Sequence, residues 1–382
     1  SMAFRILLAG GGSGGHVFPL IAVAGALREK AQQGGQELEL LIVGEGKFME
    51  KAAVENNILF KKIWAGKLRR YFSPLSVLDI FKIPLGFFQS LWHVFWFMPD
   101  VIFAKGGYAS LAPAIIGRVF FIPLFIHESD SIPGLANKIL GKLAQKVFIS
   151  FQSAEKYFKI GKTVLVGNPL RKEIIGKNRE KALEIFQLNP NAKTILVLGG
   201  SQGAQKINDI ILQSLVMGVK NFQFIHQCGE SQYNSVKNEV DKLIKEGENK
   251  YAADIKANYR FFPFLETEQL GLAYAAADIL ISRSGAGSIF EIAAAGKPVI
   301  LIPITNSSSD HQMSNAKEFS KFGAVVLEEQ NLTPHILLNQ IEFLLNEENY
   351  AKISANVKNF AKPDAAEKIA ETLMANGQYS KS

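Results

Sequence analysis

The stretch SRSGAGSIFE, Ser282 to Glu291, joins a predicted strand to a predicted helix, and it decides the fold class. The apolar run Asp278-Ile279-Leu280-Ile281 precedes it as a buried strand, and residues 289–295 follow as a helix that ends at Gly296. A small-residue loop at a helix N-terminus offers backbone N–H groups and the positive end of the helix dipole to an anion. Glu291, in the predicted first turn, would then hold ribose hydroxyls. The alternative is a capped helix in which its charge only offsets the dipole.

Further loops of the same kind predict two Rossmann-like halves around one cleft. They are GGGSGGH at 10–16, KGGY at 105–108 and GGSQG at 199–203, and each follows a short apolar strand. Strands alternate with helices along the whole chain, which is typical of parallel sheets in an α/β protein. The predicted strands lie at 4–9, 38–43, 101–104, 122–126, 146–149, 163–166, 194–198, 222–226, 259–262, 278–281, 298–302 and 324–327.

The length of 382 residues suits two domains, and a hydrophobic content of 48% is enough for two cores. The Gly- and Pro-containing segment 166–171 predicts a boundary between a domain of 1–167 and a domain of 168–360. A final helical segment at about 361–382 is expected to pack back on the first domain. The single cysteine, Cys228, favours a reducing compartment, and we expect neither a signal peptide nor a membrane-spanning run of about 18 apolar residues.

Positive charge is concentrated in the N-terminal half: residues 1–170 carry a net charge of +8 and residues 171–382 one of −1. Residues 71–97 contain nine aromatic side chains, and they follow the basic residues Lys61, Lys62, Lys67, Arg69 and Arg70. This combination favours binding to an anionic membrane surface. The alternative is a buried helix pair, and we expect part core and part exposed patch. Nucleic acid is not expected as a partner, because basic and aromatic residues do not alternate along an extended strip.

The sequence lacks the motifs of several common metal and nucleotide sites. The sequence contains no zinc-type Cys/His spacing, no Asp-x-Asp pair and no P-loop pattern, so neither a metal nor a cofactor is expected. Gly10, Gly12 and Gly15 match the dinucleotide fingerprint, but only Glu45 could supply the acid that closes the second strand. The weak match to this fingerprint acid disfavours NAD as a ligand.

Seven motifs resemble those of the GT-B glycosyltransferases of peptidoglycan synthesis, glycosyltransferase family 28. They are GGGSGGHVFP at 10–19, KGGYAS at 105–110, HESDSIPGLANK at 127–138, GNPLR at 167–171, GGSQGA at 199–204, SRSGAGSIFEIAAAGKP at 282–298 and DHQMSNA at 310–316. The resemblance implies a GT-B fold, with two Rossmann-like domains whose parallel sheets face a central cleft. It assigns the acceptor and the membrane to the first domain and the UDP-sugar to the second.

The implied reaction is the inverting transfer of N-acetylglucosamine from UDP-N-acetylglucosamine to undecaprenyl-diphospho-N-acetylmuramoyl-pentapeptide (lipid I), which forms lipid II. The implied place is the cytoplasmic face of the cell inner membrane, with peripheral attachment to an anionic surface and other cell-wall synthesis proteins as partners. Two alternatives stay open. The first is another GT-B enzyme, either a glycolipid glycosyltransferase or a UDP-sugar epimerase, and the second is a non-enzymatic membrane scaffold or nucleotide-binding protein.

The resemblance also implies roles for particular residues. His16 is the catalytic candidate at the attacking hydroxyl, and a helix N-terminus would keep its ring neutral near pH 7. The alternative for His16 is an orienting hydrogen bond without proton transfer. The implied UDP-sugar contacts are Arg171, Ser201, Leu265, Ala286, Gly287, Ser288, Ile289, Phe290, Glu291 and Gln312. Further implied substrate contacts are Ser13, Gly14, Gly15, Asp130 and Asn137.

One motif and one loop depart from the family pattern; the loop, Thr305 to Asp310, is slightly longer than in some members. Many members have His-Glu-Gln-Asn where this chain has His127-Glu128-Ser129-Asp130. The carboxylate of Asp130 offers only hydrogen-bond acceptors, whereas an asparagine amide also donates.

Overall fold

The computed structural model describes residues 3–12, 14–66, 74–200, 204–248, 250–304 and 310–379. The chain forms two compact units, Ser1–Leu170 together with Lys362–Ser382, and Arg171–Ala361. Each unit is built on a parallel β-sheet with helices packed against it.

The bounds of the elements are as follows. The strands are β1 (Phe4–Gly11), β2 (Leu38–Glu45), β3 (Leu59–Lys62), β4 (Val101–Ala104), β5 (Leu124–Glu128), β6 (Lys146–Ile149), β7 (Thr163–Leu165), β8 (Lys193–Leu198), β9 (Phe222–Gln227), β10 (Tyr259–Phe262), β11 (Ile279–Ser282), β12 (Val299–Leu301) and β13 (Val325–Val326). The helices are α1 (Gly14–Gln33), α2 (Lys47–Glu55), α3 (Pro74–Phe97), α4 (Leu111–Val119), α5 (Leu135–Leu143), α6 (Arg179–Ile185), α7 (Gln205–Gly218), α8 (Tyr233–Glu246), α9 (Ala252–Asn258), α10 (Thr267–Ala276), α11 (Ala286–Ala295), α12 (Asp310–Ser320), α13 (Pro334–Leu345), α14 (Glu347–Phe360) and α15 (Ala365–Tyr379). Short 3₁₀ turns lie at Tyr108–Ser110, Gln152–Tyr157, Lys172–Ile174, Glu230–Gln232 and Glu329–Asn331.

The first unit has a seven-stranded parallel sheet in the order β3-β2-β1-β4-β5-β6-β7. Alternate residues of β1 enter two separate cores. Ile6 and Leu8 pack on the face covered by α1, α2 and α15, whereas Leu7 and Ala9 pack on the face covered by α3, α4 and α5. A parallel strand covered on both faces must be apolar along its whole length, which explains the run of apolar residues in β1.

The second unit has a six-stranded parallel sheet in the order β10-β9-β8-β11-β12-β13. One of its aromatic clusters surrounds Phe360 of α14, whose ring centroid lies 4.9 to 5.0 Å from those of Phe290, Phe319 and Phe322. The two parallel sheets confirm the fold class predicted from the alternation of strands and helices.

The last helix belongs to the first unit. Ile369, Ala370 and Leu373 of α15 are buried in the same core as Val23 and Leu27 of α1. The chain therefore enters the second unit after Leu170 and returns to the first after Ala361.

Two local differences from the sequence-based expectation have physical causes. The edge strand β3 was not predicted, because its residues Leu59–Lys62 are mostly exposed and lack an apolar pattern. Helix α11 begins at Ala286 and not at Ile289, so Glu291 lies in its second turn and not in its first. Gly287 and Ser288 are weak helix formers, and here the surrounding structure overrides that weak local preference.

Helix α3 has two different faces over residues 82–97. Gly86, Ser90 and Val94 recur every four residues and are buried. A Cβ atom at Gly86 would lie 2.2 Å from the carbonyl oxygen of Trp64, so only glycine permits this close approach. The opposite face exposes the large side chains Leu85, Phe88, Leu91, Trp92, Phe95 and Trp96. The predicted split into core and exposed patch is confirmed for these residues, whereas Lys67, Arg69 and Arg70 lie outside the described part of the chain.

No helix among the residues that the structure describes combines the length and the apolarity needed to cross a membrane.

Candidate active site

Three central strands of the first sheet end side by side, and polar side chains follow each of them. β1 lies between β2 and β4, so the strand order reverses at this point. Open parallel sheets bind ligands at such switch points, beyond the carboxyl ends of the strands. His16 follows β1, Lys105 follows β4, and residues 128–130 lie at the end of β5.

His16 lies in the first turn of α1 and is only half-buried as a residue, but its ring is withdrawn from water. Its Nδ1 atom is buried and has no hydrogen-bond partner, and the ring is hydrogen-bonded to the backbone of Lys105. Burial, and next the charge of Lys105, lower the pKa of His16 to about 4, while the charge of Asp130 acts in the opposite direction. The ring is therefore neutral near pH 7, as expected, but through burial and a neighbouring ammonium group rather than through the helix dipole.

Lys105 is the centre of a buried charged cluster. Its side chain is only 1% exposed, and Nζ donates a hydrogen bond to Ser129 Oγ, which in turn donates to Asn168 Oδ1 at 2.9 Å. Burial lowers the pKa of Lys105, while the carboxylates of Glu128 and Asp130 favour its charged form. A lysine is almost never fully buried without charged partners, so these two acids explain its position.

Glu128 holds the segment that follows β5. Its Oε1 accepts from the backbone N–H of Asp130 at 2.9 Å, and its Oε2 accepts from the N–H of Gly134 at 3.2 Å and from Asn137 Nδ2 at 2.8 Å. Burial raises the pKa of Glu128, the charge of Asp130 raises it further, and Lys105 acts in the opposite direction. Both carboxylate oxygens of Glu128 therefore accept hydrogen bonds from within the protein, whereas Asp130 is partly exposed.

Asn137, an expected substrate contact, is bound within this network. Besides Glu128, its Nδ2 donates to the backbone carbonyl of His127 at 3.0 Å, while its Oδ1 is buried without a hydrogen-bond partner. Gly106, with a φ of +95°, lies so close that a Cβ there would be 2.9 Å from the Asn137 amide. Of the other residues expected here, Gly14 and Gly15 begin α1 near His16, and Ser13 lies outside the described residues.

The second unit holds a buried ion pair between Arg171 and Glu291. Arg171 Nη2 lies 2.9 Å and Nε 3.2 Å from Glu291 Oε1, and each side chain is 12% exposed. The hydroxyl of Tyr274 donates to Glu291 Oε2 at 3.5 Å, and Arg171 Nη1 donates to Thr267 Oγ1 at 3.4 Å. Burial, and next the charge of Glu291, raise the pKa of Tyr274 well above its ordinary value, so its hydroxyl keeps the proton that it donates.

The start of α11 and Gln312 are brought together through Ser284. The helix begins after Gly285, whose extended backbone provides no side-chain cap for the first turn, Ala286 to Ser288. Ser284 Oγ donates to the backbone carbonyl of Gln312 at 2.7 Å, and Gln312 Oε1 accepts from the N–H of Ile304 at 3.2 Å. An uncapped helix start of this kind leaves backbone N–H groups for a ligand.

Three expected contacts could act only through their backbone. Ile289 and Phe290 have fully buried side chains, as does Leu265 at 1% exposure. The Leu265 N–H donates to Gln227 Oε1 at 2.9 Å. Ser201 lies outside the described residues.

The sequence did not identify Lys105 and Tyr274 as parts of these clusters. Lys105 stands in the motif KGGYAS, but nothing local shows that its side chain is buried between two acids. Within the described ranges, no group of three or more His, Cys, Asp or Glu side chains could hold a metal ion.

Comparison with known proteins identifies the family. The model of the glycosyltransferase family 28 N-terminal domain matches residues 6–149, and that of the C-terminal domain matches residues 194–369. A protein of Treponema denticola, named UDP-N-acetylglucosamine–N-acetylmuramyl-(pentapeptide) pyrophosphoryl-undecaprenol N-acetylglucosamine transferase, is 35% identical over 94% of this chain and 93% of its own length. A Flavobacterium psychrophilum protein of the same name is 34% identical over 99% of each chain.

Solved structures show a similar fold. MurG of Acinetobacter baumannii has a TM-score of 0.72 and 24% identity, covering 97% of this chain and 99% of that one. UDP-GlcNAc 2-epimerase of Neisseria meningitidis, bound to UDP-GlcNAc, has a TM-score of 0.67 and 17% identity, covering 98% and 100%. The family models and the full-length relatives confirm the resemblance found in the seven motifs: the chain belongs to glycosyltransferase family 28.

Proposed function

We propose that this enzyme transfers N-acetylglucosamine from UDP-N-acetylglucosamine to undecaprenyl-diphospho-N-acetylmuramoyl-pentapeptide, with inversion at the anomeric carbon, to form lipid II. The observation that carries the proposal is similarity over nearly the full chain, at 34 to 36% identity, to relatives that are named for this transfer. We assign the acceptor to residues 1–167 with the helix at 361–382, and the UDP-sugar to residues 168–360.

In the donor half, the proposed contacts surround α11. The backbone N–H groups of Ala286 to Ser288, at the uncapped helix start, would bind the diphosphate. The carboxylate of Glu291 would hold the ribose hydroxyls, and Arg171 would supply positive charge as the UDP leaving group becomes more negative. Charge on a leaving phosphate can be stabilised in this way by N–H groups and a guanidinium.

Two further donor contacts are inferred from hydrogen bonds that Leu265 and Gln312 already form within the protein. Because the Leu265 N–H donates to Gln227, the uracil would be bound through the Leu265 carbonyl. Because Gln312 Oε1 accepts from Ile304, the Gln312 NH₂ group is the part that would donate to the sugar.

In the acceptor half, His16 is the proposed group at the attacking hydroxyl. A hydroxyl is a poor nucleophile, and a neutral imidazole nearby can accept its proton as the new bond forms. A pKa of about 4 keeps His16 unprotonated at pH 7 but also makes it a weak base. Among the charges around the ring, that of Asp130 acts to raise its pKa and so favours the imidazolium that proton transfer would form.

The exposed face of α3 is the proposed membrane contact, on the cytoplasmic side of the cell membrane. Phe88, Trp92 and Trp96 are 63 to 70% exposed. Lys61 and Lys62 of the edge strand β3 are exposed. Burial, and next the charge of Lys61, lower the pKa of His93 on α3, so Lys61 lies near this helix. Apolar aromatic rings beside lysines suit the interface of an anionic bilayer.

Vesicle sedimentation tests the membrane contact. The enzyme should bind phosphatidylglycerol-containing vesicles more tightly than phosphatidylcholine vesicles, and added salt should weaken that preference because exposed charges are screened. The double variant Trp92→Ser/Trp96→Ser should lose binding, whereas Phe343→Ser, which removes a 47% exposed ring from α13, should not. Equal loss in both variants would contradict a specific role for α3.

The transfer itself is tested by UDP release with a soluble lipid I analogue. We expect UDP release that requires the analogue and a product that carries one added N-acetylglucosamine. Conversion of UDP-N-acetylglucosamine without any acceptor would instead favour a UDP-sugar epimerase. Release that another glycolipid acceptor supports better than the analogue would favour a different glycolipid transferase.

A further inference from the structure

A cavity of about 280 Å³ lies in the second unit, where the loop before α6 meets the C-terminal ends of α10 and α11. Its walls are largely apolar: Ile174 and Ile175 come from the loop, Ala275 from α10, and Ala294 and Ala295 from α11. Pockets for small molecules are mostly apolar and have volumes of roughly 300–1,000 Å³. This cavity is therefore close to the lower end of the size range for small ligands.

The cavity is separate from the proposed donor site. None of the donor contacts that the structure describes is among the residues that line it. Tyr274 connects the two places, because its side chain lines the cavity while its hydroxyl donates to Glu291 Oε2 at 3.5 Å. A ligand of the cavity would thus lie next to the donor site without occupying it.

The charged groups that line the cavity are basic, and one of them is already engaged. Arg179 Nη1 donates to the carbonyl of Ala276, at the end of α10, at 2.5 Å, and its Nη2 lies 3.2 Å from Asp278 Oδ2. Asp278 also accepts from the backbone N–H of Thr194 at 2.8 Å and lies 4.0 Å from Lys193 Nζ. The charge of Arg179 is therefore explained by the protein itself.

The two lysines of the cavity, Lys177 and Lys297, lack such partners. Neither forms an ion pair with any residue that the structure describes. Burial, and next the charge of Arg179, lower the pKa of Lys297, while the charge of Asp278 acts in the opposite direction. A cation that is partly withdrawn from water and unpaired is unfavourable, so an anion in the cavity would be stabilised.

We propose that this cavity binds a phosphate monoester with a small apolar body, its phosphate on Lys177 and Lys297 and its body against the isoleucine and alanine walls. A phosphate monoester carries a charge of about −1.5 to −2 at pH 7, which two ammonium groups match better than they match a single carboxylate. Lysine binds phosphate as a point charge and needs no fixed fork geometry. The proposal is independent of the transfer reaction, since it involves neither lipid I nor a UDP-sugar.

Calorimetric titration of the full chain with phenyl phosphate tests the site. Phenyl phosphate should bind, whereas phenol, which has the same ring without the charge, should bind at least about tenfold more weakly. Lys297→Gln and Lys177→Gln should each raise the Kd for phenyl phosphate by about tenfold or more, because each removes a charged contact. Lys220→Gln, at an exposed lysine after α7, is the control and should leave the Kd unchanged.

A second titration, in saturating UDP, distinguishes the cavity from the donor site. The Kd for phenyl phosphate should stay within about twofold, and displacement by UDP would place the ligand in the donor site and overturn the proposal. No binding to the wild-type chain, equal binding of phenol, or unchanged binding in both lysine variants would also overturn it. The lysines would then only offset the negative ends of α10 and α11. Circular dichroism checks that each variant is folded, and Lys177→Gln carries the test if Lys297→Gln is not.

Discussion

Replacing Glu291 with glutamine should lower both the stability of the second unit and the affinity for the donor. The ion pair with Arg171 sets the size of the loss in stability. The variant keeps the side-chain volume but removes the charge that faces Arg171 Nη2 at 2.9 Å and Nε at 3.2 Å. Breaking a buried pair costs about 3–5 kcal/mol, and the 12% exposure of both side chains places this one near 3 kcal/mol. With an m value of about 3 kcal/mol per M, the urea midpoint of the second unit should fall by about 1 M.

Donor binding should weaken for a separate reason. Loss of charged hydrogen bonds to the ribose costs roughly 1.5–3 kcal/mol, which corresponds to a rise of about 10-fold to 150-fold in the KM for UDP-N-acetylglucosamine. The KM is measured by UDP release with saturating acceptor, and the stability by urea unfolding of the same preparation.

A second buried ion pair provides the matched control. Arg283 Nη2 lies 2.6 Å from Glu329 Oε1, and these side chains are 11% and 14% exposed. Glu329→Gln should lower stability by a similar amount and leave the donor KM unchanged. If Glu291→Gln loses stability but keeps the wild-type donor KM, Glu291 is a structural residue and its assignment to the ribose is refuted.

Four further results are expected. His16→Ala should lower kcat by about 10²–10⁴-fold with donor affinity nearly intact, whereas weaker donor binding at unchanged kcat would make His16 a binding residue. Burial lowers the pKa of His226 to about 3, so below pH 6.5 the unfolded chain binds a proton at this residue that the folded chain does not. His226 alone should lower the free energy of unfolding by about 2 kcal/mol from pH 7 to pH 5, so the fall should be smaller by that amount in His226→Gln; His16 and His127, whose pKa values burial also lowers, contribute equally in both proteins. Gly44→Ala should cost about 3 kcal/mol, since its Cβ would lie 2.0 Å from the Gly10 carbonyl oxygen, whereas Gly25→Ala, with open space inside α1, should stabilise by up to about 1 kcal/mol in urea unfolding. Turnover should survive EDTA, and loss of activity that Mg²⁺ restores would show that the diphosphate is neutralised by a metal.

Local patterns in the sequence were enough to predict the strand–loop–helix units. Apolar runs such as 194–198 and 278–281 lie within or beside the observed strands β8 and β11. The glycine-rich loops mark where helices follow strands, because backbone turns and helix starts are encoded by neighbouring residues. The edge strand β3 escaped prediction, since its pairing with β2 depends on the sheet and not on its own sequence.

The details of the candidate site could not be predicted, because they depend on residues far apart in the chain. Arg171 and Glu291 are 120 positions apart, and no local signal indicates that they form an ion pair. The burial of Lys105 depends in the same way on acids that β5 brings beside β4. The neutral state of His16 was expected from the helix dipole, but tertiary burial is the larger cause.

The return of α15 to the first unit has a consequence for how the chain folds during synthesis. The core between α1 and α15 needs Ile369 and Leu373, which the ribosome delivers only after the whole of Arg171–Ala361. Domains usually fold in the order in which they emerge, but here the second unit, continuous in sequence, is complete before the first. Until α15 arrives, the strip of α1 around Val23 and Leu27 stays open to water and to chaperones, so the nascent N-terminal half is the segment most exposed to misfolding.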